Sequence, residues 1–133
     1  MKEAIVFDSW ALIAFFDDEP PAEKIEQIIS DAINRNQQLL ISVINLGEIW
    51  YSYSRAQSET LADEVILHIR SLNFKIVQAD WELTKIAARF KVAGGMSYAD
   101  CFAAALAKQN GSKLVTGDRE FERVENEIEI VWV

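Results

Sequence analysis

One cysteine, Cys101, is all this chain has, so no disulfide forms within it. A reducing compartment, the cytoplasm, is the expected setting. The two prolines, Pro20 and Pro21, are adjacent, and the five glycines are scattered. No linker, repeat or low-complexity tract is visible, and 133 residues read as one domain spanning residues 1–133. Long apolar runs are also lacking. The longest without a charge, Trp10 to Phe16 and Cys101 to Ala107, are far too short to span a bilayer. With acids at Glu3 and Asp8, the N-terminal stretch does not read as a signal peptide. Positive charge is scarce: 13 Lys and Arg against 21 Asp and Glu give a net charge of −8. That balance excludes a general basic surface for coating nucleic acid. It leaves room for a nuclease, because bound metal ions reverse the local potential at an acidic site.

What the chain does have is core-forming sequence, 50% hydrophobic and 11% aromatic. Short apolar runs predict strands at Ala4–Phe7, Leu39–Ser42, Lys75–Gln78 and Lys113–Thr116. Each has the composition of a strand buried on both faces. Ile128–Trp132 alternates more and reads as an edge strand. Helical periodicity fills the gaps. Ile25, Ile28, Ile29 and Ile33 form a stripe within Glu23–Asn34, and Leu61, Val65, Ile69 and Leu72 another within Leu61–Leu72. Leu83, Ala87 and Phe90, with Val92 nearby, mark Trp81–Val92, and Val43–Leu72 is long enough for two helices. Pro20 and Pro21 suit a helix start. Alternating strands and helices predict an α/β domain with a mainly parallel sheet.

Four acidic residues interrupt or end apolar segments: Asp8, Glu48, Asp100 and Asp118. A carboxylate set against core sequence is costly to desolvate without a compensating partner. Ligands of α/β sheets bind beyond the carboxyl ends of the strands. Asp8 and Asp118 are the first polar side chains beyond two strand ends, and Glu48 falls about a turn into the helix after the second strand. Folding is therefore expected to gather the acids at one edge. Such a cluster needs cations, and hard oxygen ligands select Mg²⁺ or Mn²⁺. The reaction class is metal-assisted phosphodiester hydrolysis. Asp8, Asp100 and Asp118 are the expected metal ligands. Glu48 would orient water or hold a second ion, and Thr116 would hydrogen-bond a carboxylate or metal-bound water. Each residue also has an ordinary local role. Asp8 suits an N-cap of a helix Ser9–Phe16, and Glu48 a solvated helix position. Ser97 and Asp100 have the spacing of a capping box, and Gly117-Asp118 that of a turn. Thr116 equally ends a strand.

The segments Val6-Phe7-Asp8-Ser9, Asn45-Leu46-Gly47-Glu48, Tyr98-Ala99-Asp100 and Val115-Thr116-Gly117-Asp118-Arg119-Glu120-Phe121 resemble the acidic motifs of PIN-domain ribonucleases. Order, spacing and length are most similar to the VapC toxins of toxin–antitoxin pairs. The resemblance covers essentially the whole chain. It implies a parallel five-stranded α/β/α sandwich and a Mg²⁺- or Mn²⁺-dependent endoribonuclease inhibited by a cognate antitoxin, with homodimerisation. The family's four acids fall on Asp8, Glu48, Asp100 and Asp118, its hydroxyl residue on Thr116, and a further acid of some members on Glu120. Where this chain has Gly117, the family often has Asn or Arg.

Trp50, Tyr51 and Tyr53 are too many aromatics for one buried stripe, and some are expected to form an apolar patch for a partner. Arg55, Arg89, Lys91 and Arg119 are candidates to line an RNA path. His68 reads as an ordinary helix residue and Cys101 as core. Two rival functions share this size and order. An aspartate-nucleophile phosphatase wants a second Asp two positions after Asp8, where Trp10 stands. A phospho-accepting receiver domain wants an acidic pair at the first strand end, and Asp17-Asp18 lies a whole helix too late.

Overall fold

Every apolar run expected to be extended is a strand in the computed structural model, which describes residues 3–133. The strands are β1 (Ala4–Phe7), β2 (Gln38–Ser42), β3 (Phe74–Val77), β4 (Lys113–Thr116) and β5 (Ile130–Trp132). They form one parallel sheet in the order β3-β2-β1-β4-β5. The helices are α1 (Ser9–Phe16), α2 (Ala22–Asn34), α3 (Val43–Ala56), α4 (Glu59–Ser71), α5 (Trp81–Ala93) and α6 (Tyr98–Asn110). A 3-10 helix, η1, covers Arg119–Val124.

The helices make two layers because the sheet is apolar on both faces. Phe7, Leu39, Ile41 and Val115 point to one face and pack with Leu12, Ile25, Ile49 and Ile69 from α1–α4. Val6, Leu40 and Leu114 point to the other and meet Leu83, Phe90, Leu106 and Phe121 from α5, α6 and η1. This is the three-layer α/β/α sandwich. The period of two along each strand assigns alternate residues to alternate cores.

Local sequence sets the helix starts. Asp8, Ser42, Ser58, Asp80 and Ser97 each accept a backbone N–H from three residues on. Pro21 stands at the N-cap of α2. Gly111 ends α6 at φ 57°, a conformation a glycine takes without Cβ strain.

Some expectations need correction. Ile33 is 50% exposed, and Ala32 takes its place on the buried face of α2 beside Ile25 and Ile29. Ile33 sits one step past that face in the helical period. Val92 is 89% exposed, on the side of α5 opposite Leu83. The final strand begins at Ile130, and Ile128 is buried ahead of it. β5 is an edge, as its pattern suggested, but so is β3, where Lys75 is exposed.

β1 lies at the topological switch point. The chain builds outward through β2 and β3, then returns to place β4 on the other side of β1. The crevice beyond the carboxyl ends of β1 and β4 is where such sheets bind ligands.

Candidate active site

Asp8 directly follows β1 at that crevice and is 1% exposed. One of its oxygens accepts the Ala11 N–H at 2.9 Å and the other accepts the Thr116 hydroxyl at 2.5 Å. It is both the cap of α1 and part of the acidic group. Burial pushes its pKa up to about 7, against the lowering effect of these two bonds, and the charges of Asp118 and Glu48 add to the rise.

Thr116, fully buried at the end of β4, also accepts the Asp118 N–H at 3.0 Å. Asp118 in turn accepts the Glu120 N–H at 3.0 Å and caps η1. Gly117, between them, leaves room for the Trp10 indole, whose six-membered ring occupies the space a Cβ would take.

Asp100 lies in the first turn of α6, 8% exposed, with its own N–H bonded to the Ser97 hydroxyl at 3.1 Å. Only this half of the expected capping box forms. The Asp100 carboxyl turns to the acids instead. Its pKa is pushed up to about 8, first by burial, then by the charges of Asp118 and Asp8. A hydrogen bond with Glu120, which favours the protonated form, raises it further.

One carboxylate oxygen from each of Asp100, Asp118 and Glu120 lies within 4.8 Å of the others. Asp8 is outside this trio, held from across the crevice by Thr116. Glu48 is close enough that its charge raises the pKa of both Asp8 and Asp100. Asp8, Thr116, Asp100 and Asp118 thus meet at one edge with Glu48 near them, and Glu120 lies with Asp100 and Asp118.

Sequence reasoning assigned no role to Ser9 or Asn45. The Ser9 hydroxyl donates to Glu48 Oε1 at 2.7 Å, and Asn45 Nδ2 donates to the same oxygen at 3.2 Å. Asn45 Nδ2 also reaches the Ala99 carbonyl at 3.1 Å, and its own Oδ1 accepts the Ser42 hydroxyl at 2.7 Å. Asn45 is fully buried and joins α3 to the start of α6. An Asn three residues before Glu48 on an apolar helix face was the available signal.

None of the acids in this group is paired with a Lys or Arg among the described residues. The ion pairs among the described residues are Lys108–Glu127 and Lys113–Glu129, the latter at the opposite end of β4. Clustered carboxylates without a basic partner need protons or a cation. The donor set here is all carboxylate oxygen. His68 packs against Phe16, and Cys101 is buried in the core with its thiol pushed up by burial. A hard divalent cation fits this set, and a thiolate- or imidazole-seeking metal does not.

The aromatic group on α3 divides. Tyr53 is buried and donates its hydroxyl to Asp17 at 2.7 Å, and Trp50 is part-buried and donates to Asp63 at 2.9 Å. Tyr51 alone of the three is exposed, with Arg55 over its ring. No helix among the described residues is long and apolar enough to cross a membrane.

Comparison with known proteins agrees with this architecture. The PIN domain family matches residues 5–127. No curated protein sequence matches the chain. Among solved structures, VapBC2 from Rickettsia felis, bound to a DNA fragment from its promoter, superposes with a TM-score of 0.75 at 17% identity, covering 98% of both chains. DNA-bound VapBC from Salmonella typhimurium gives 0.75 at 18% identity, again with 98% of each chain covered. VapC20 of Mycobacterium tuberculosis, a sarcin–ricin loop cleaving toxin, gives 0.72 at 15% identity, covering 90% of this chain and 94% of that one.

Proposed function

This chain belongs to the PIN domain family, and on that premise we propose that it is a metal-dependent endoribonuclease acting as the toxin of a toxin–antitoxin pair. The observation that supports this most is the carboxylate trio of Asp100, Asp118 and Glu120 near buried Asp8, with no basic partner among the described residues. VapC20, which shares the fold, is described as a sarcin–ricin loop cleaving toxin, and VapBC-5 from Mycobacterium tuberculosis as a member of the VapBC family of toxin–antitoxin systems.

In this reading Asp100, Asp118 and Glu120, with Asp8 nearby, would hold the ion. Mg²⁺ or Mn²⁺ would supply a lowered pKa for bound water and neutralise charge on the phosphate oxygens. The protein's own contribution is placement. Thr116 fixes the rotation of the Asp8 carboxylate, since one of its oxygens is bonded to the hydroxyl and the other to α1. Ser9 and Asn45 both bond Glu48 Oε1, which leaves Oε2 to orient the attacking water. A recessed acidic edge suits single-stranded or looped RNA, whose backbone can bend into it.

An aspartate-nucleophile phosphatase is disfavoured by the same geometry. Both Asp8 oxygens are occupied and the side chain is 1% exposed, so it is poorly placed to attack a phosphate. The partners in this reading are RNA, an antitoxin chain and a second copy of the protein. The antitoxin would bring an Arg or Lys to the acids, since a cation offsets their repulsion. The setting is cytoplasmic.

The test is cleavage of RNA by purified protein with Mn²⁺ or Mg²⁺, with EDTA, and with Asp8→Asn. Cleavage that is lost in EDTA and in the variant is the expected result. Full cleavage in EDTA, or by Asp8→Asn, overturns the reading.

A further inference from the structure

Arg119 stands between two members of the acidic trio in sequence, Asp118 and Glu120, yet it pairs with neither. No ion pair among the described residues includes it. Successive residues of a 3-10 helix diverge by about a third of a turn, so η1 sends Arg119 to its own side. There its guanidinium lies over the Trp132 ring, 4.7 Å from the centroid. Such a contact holds a cation without neutralising it.

The ring beneath is itself fixed. Trp132 pairs with Thr116 in the sheet, donates its indole N–H to Glu125 at 3.2 Å, and accepts Lys24 at its carbonyl at 2.6 Å. The platform is therefore tied to the same strand end that positions Asp8. Two other cations, Lys91 and Arg123, have other neighbours. Lys91 donates to the Met96 carbonyl at 2.9 Å, and the Arg123 guanidinium lies against Gly95. Arg119 is exposed, and its N–H donors make no hydrogen bond to a described residue.

On the ribonuclease reading a protein of net charge −8 brings a polyanion to an edge lined by carboxylates. A metal ion serves the phosphate being cut. The phosphates on either side need another cation, placed beside the trio and not neutralised by it. We propose that Arg119, seated on Trp132, binds an RNA phosphate next to the scissile one, on the β5 side of the site. A guanidinium presents donors in a fork that matches phosphate oxygens. The contact is sequence-independent: it positions the strand and reads no base. This inference rests on the ribonuclease reading and deepens it by assigning a substrate contact.

The experiment measures binding of a fluorescently labelled, mixed-sequence single-stranded RNA by anisotropy in millimolar Mn²⁺ across a series of salt concentrations. The Asp8→Asn background prevents cutting. Adding Arg119→Gln should weaken binding about tenfold and reduce the slope of log affinity against log salt by about one. Arg119→Lys should keep the slope and lose only part of the affinity. Trp132→Phe should keep most of the affinity, because it retains a ring but loses the indole bond to Glu125. Trp132→Ala should weaken binding and add little to Arg119→Gln. An unchanged slope in Arg119→Gln overturns the proposal. So does a loss that Arg119→Lys fails to restore in any part. Cleavage of the same RNA by the protein with native Asp8 separates the two claims. Cleavage with an unchanged Arg119→Gln slope overturns this inference alone. Absence of cleavage with Mn²⁺ overturns the ribonuclease reading, while a reduced slope would still support Arg119 as an RNA contact.

Discussion

The Thr116 hydroxyl donates to the Asp8 carboxylate at 2.5 Å, across 108 positions of sequence. The same oxygen accepts the Asp118 N–H. One hydroxyl thus ties the ends of β1 and β4 together and sets two of the acids in place.

Replacing Thr116 with Val keeps the β-branched shape and removes only that oxygen. Asp8 and the Asp118 N–H each lose a partner. Leaving buried polar groups unpaired costs about 1–3 kcal/mol each, more for a charged group, so the variant should unfold at clearly lower denaturant. The bond also lowers the Asp8 pKa, so its loss should push that pKa above about 7 and move the acid limb of the activity profile to higher pH. Urea melts and a pH–rate profile check both. An unchanged profile would mean the hydroxyl is structural only.

The metal-free protein should lose stability as pH rises. Asp8 and Asp100 have folded-state pKa values of about 7 and about 8, against 3.8 when unfolded. A carboxyl with a raised folded pKa holds its proton better in the folded state. Its contribution is full below about pH 4 and is lost as pH passes through about 7 to 8. Thermal melts in EDTA at about pH 5 and about pH 8 should show the drop, and Asp100→Asn should reduce it. Mn²⁺ should oppose it, because the ion binds the deprotonated carboxylates.

Neutralising one member of the trio should stabilise the metal-free protein at neutral pH while abolishing cleavage. At neutral pH Asp100 must take up a proton on folding, because burial and the charges of Asp118 and Asp8 hold its pKa at about 8, and Asn removes that cost. The helix cap survives, since the Ser97 hydroxyl supplies it. Only the charge–dipole contribution of the deprotonated fraction is lost, below about 1 kcal/mol. A concentration of Mn²⁺ near 100 times Kd should stabilise the native protein by about 2.7 kcal/mol and the variant less. If Asp100→Asn melts lower in EDTA and Mn²⁺ shifts both proteins equally, Asp100 is a helix residue and not part of a metal site.

Glu48 is positioned by Ser9 and Asn45, so the two should act as a unit. Ser9→Ala should lower kcat with little change in stability, because Asn45 still holds Oε1. Asn45→Ala also strips the Ser42 hydroxyl and the Ala99 carbonyl of their partner and should cost about 1–3 kcal/mol of stability as well. Their effects on kcat should be non-additive in a double-mutant cycle, with coupling of about 0.5–3 kcal/mol. Simple additivity would place Glu48 outside a shared network.

Much of the fold was legible because it is set by short-range rules. Apolar runs bounded by turns marked β1 and β4 to the residue, and Asp8 and Ser97 marked helix starts through side-chain bonds reaching three residues. The acids stood out because each sits against core sequence, where an unsatisfied charge is costly. Periodicity failed at Ile33, at the margin of the buried face of α2, and at Val92, on the far side of α5. There the neighbouring element decides burial. It was silent on β3 as an edge, because Phe74-Lys75-Ile76-Val77 is as apolar as an inner strand but for one lysine.

The sequence alone determined which side chains arrive at the carboxyl edge, since strand ends and helix first turns are local properties. Only the tertiary structure decided how they divide there. Parallel pairing of β1 with β4 brings Thr116 to Asp8 and engages both Asp8 oxygens. The turn into η1 then carries Glu120 toward Asp100, so the close trio is Asp100, Asp118 and Glu120. The packing of α3 on α6 buries Asn45 between Glu48 and Ala99. Distances of a few ångströms between residues a hundred positions apart depend on register and helix packing. No local pattern of residues encodes them.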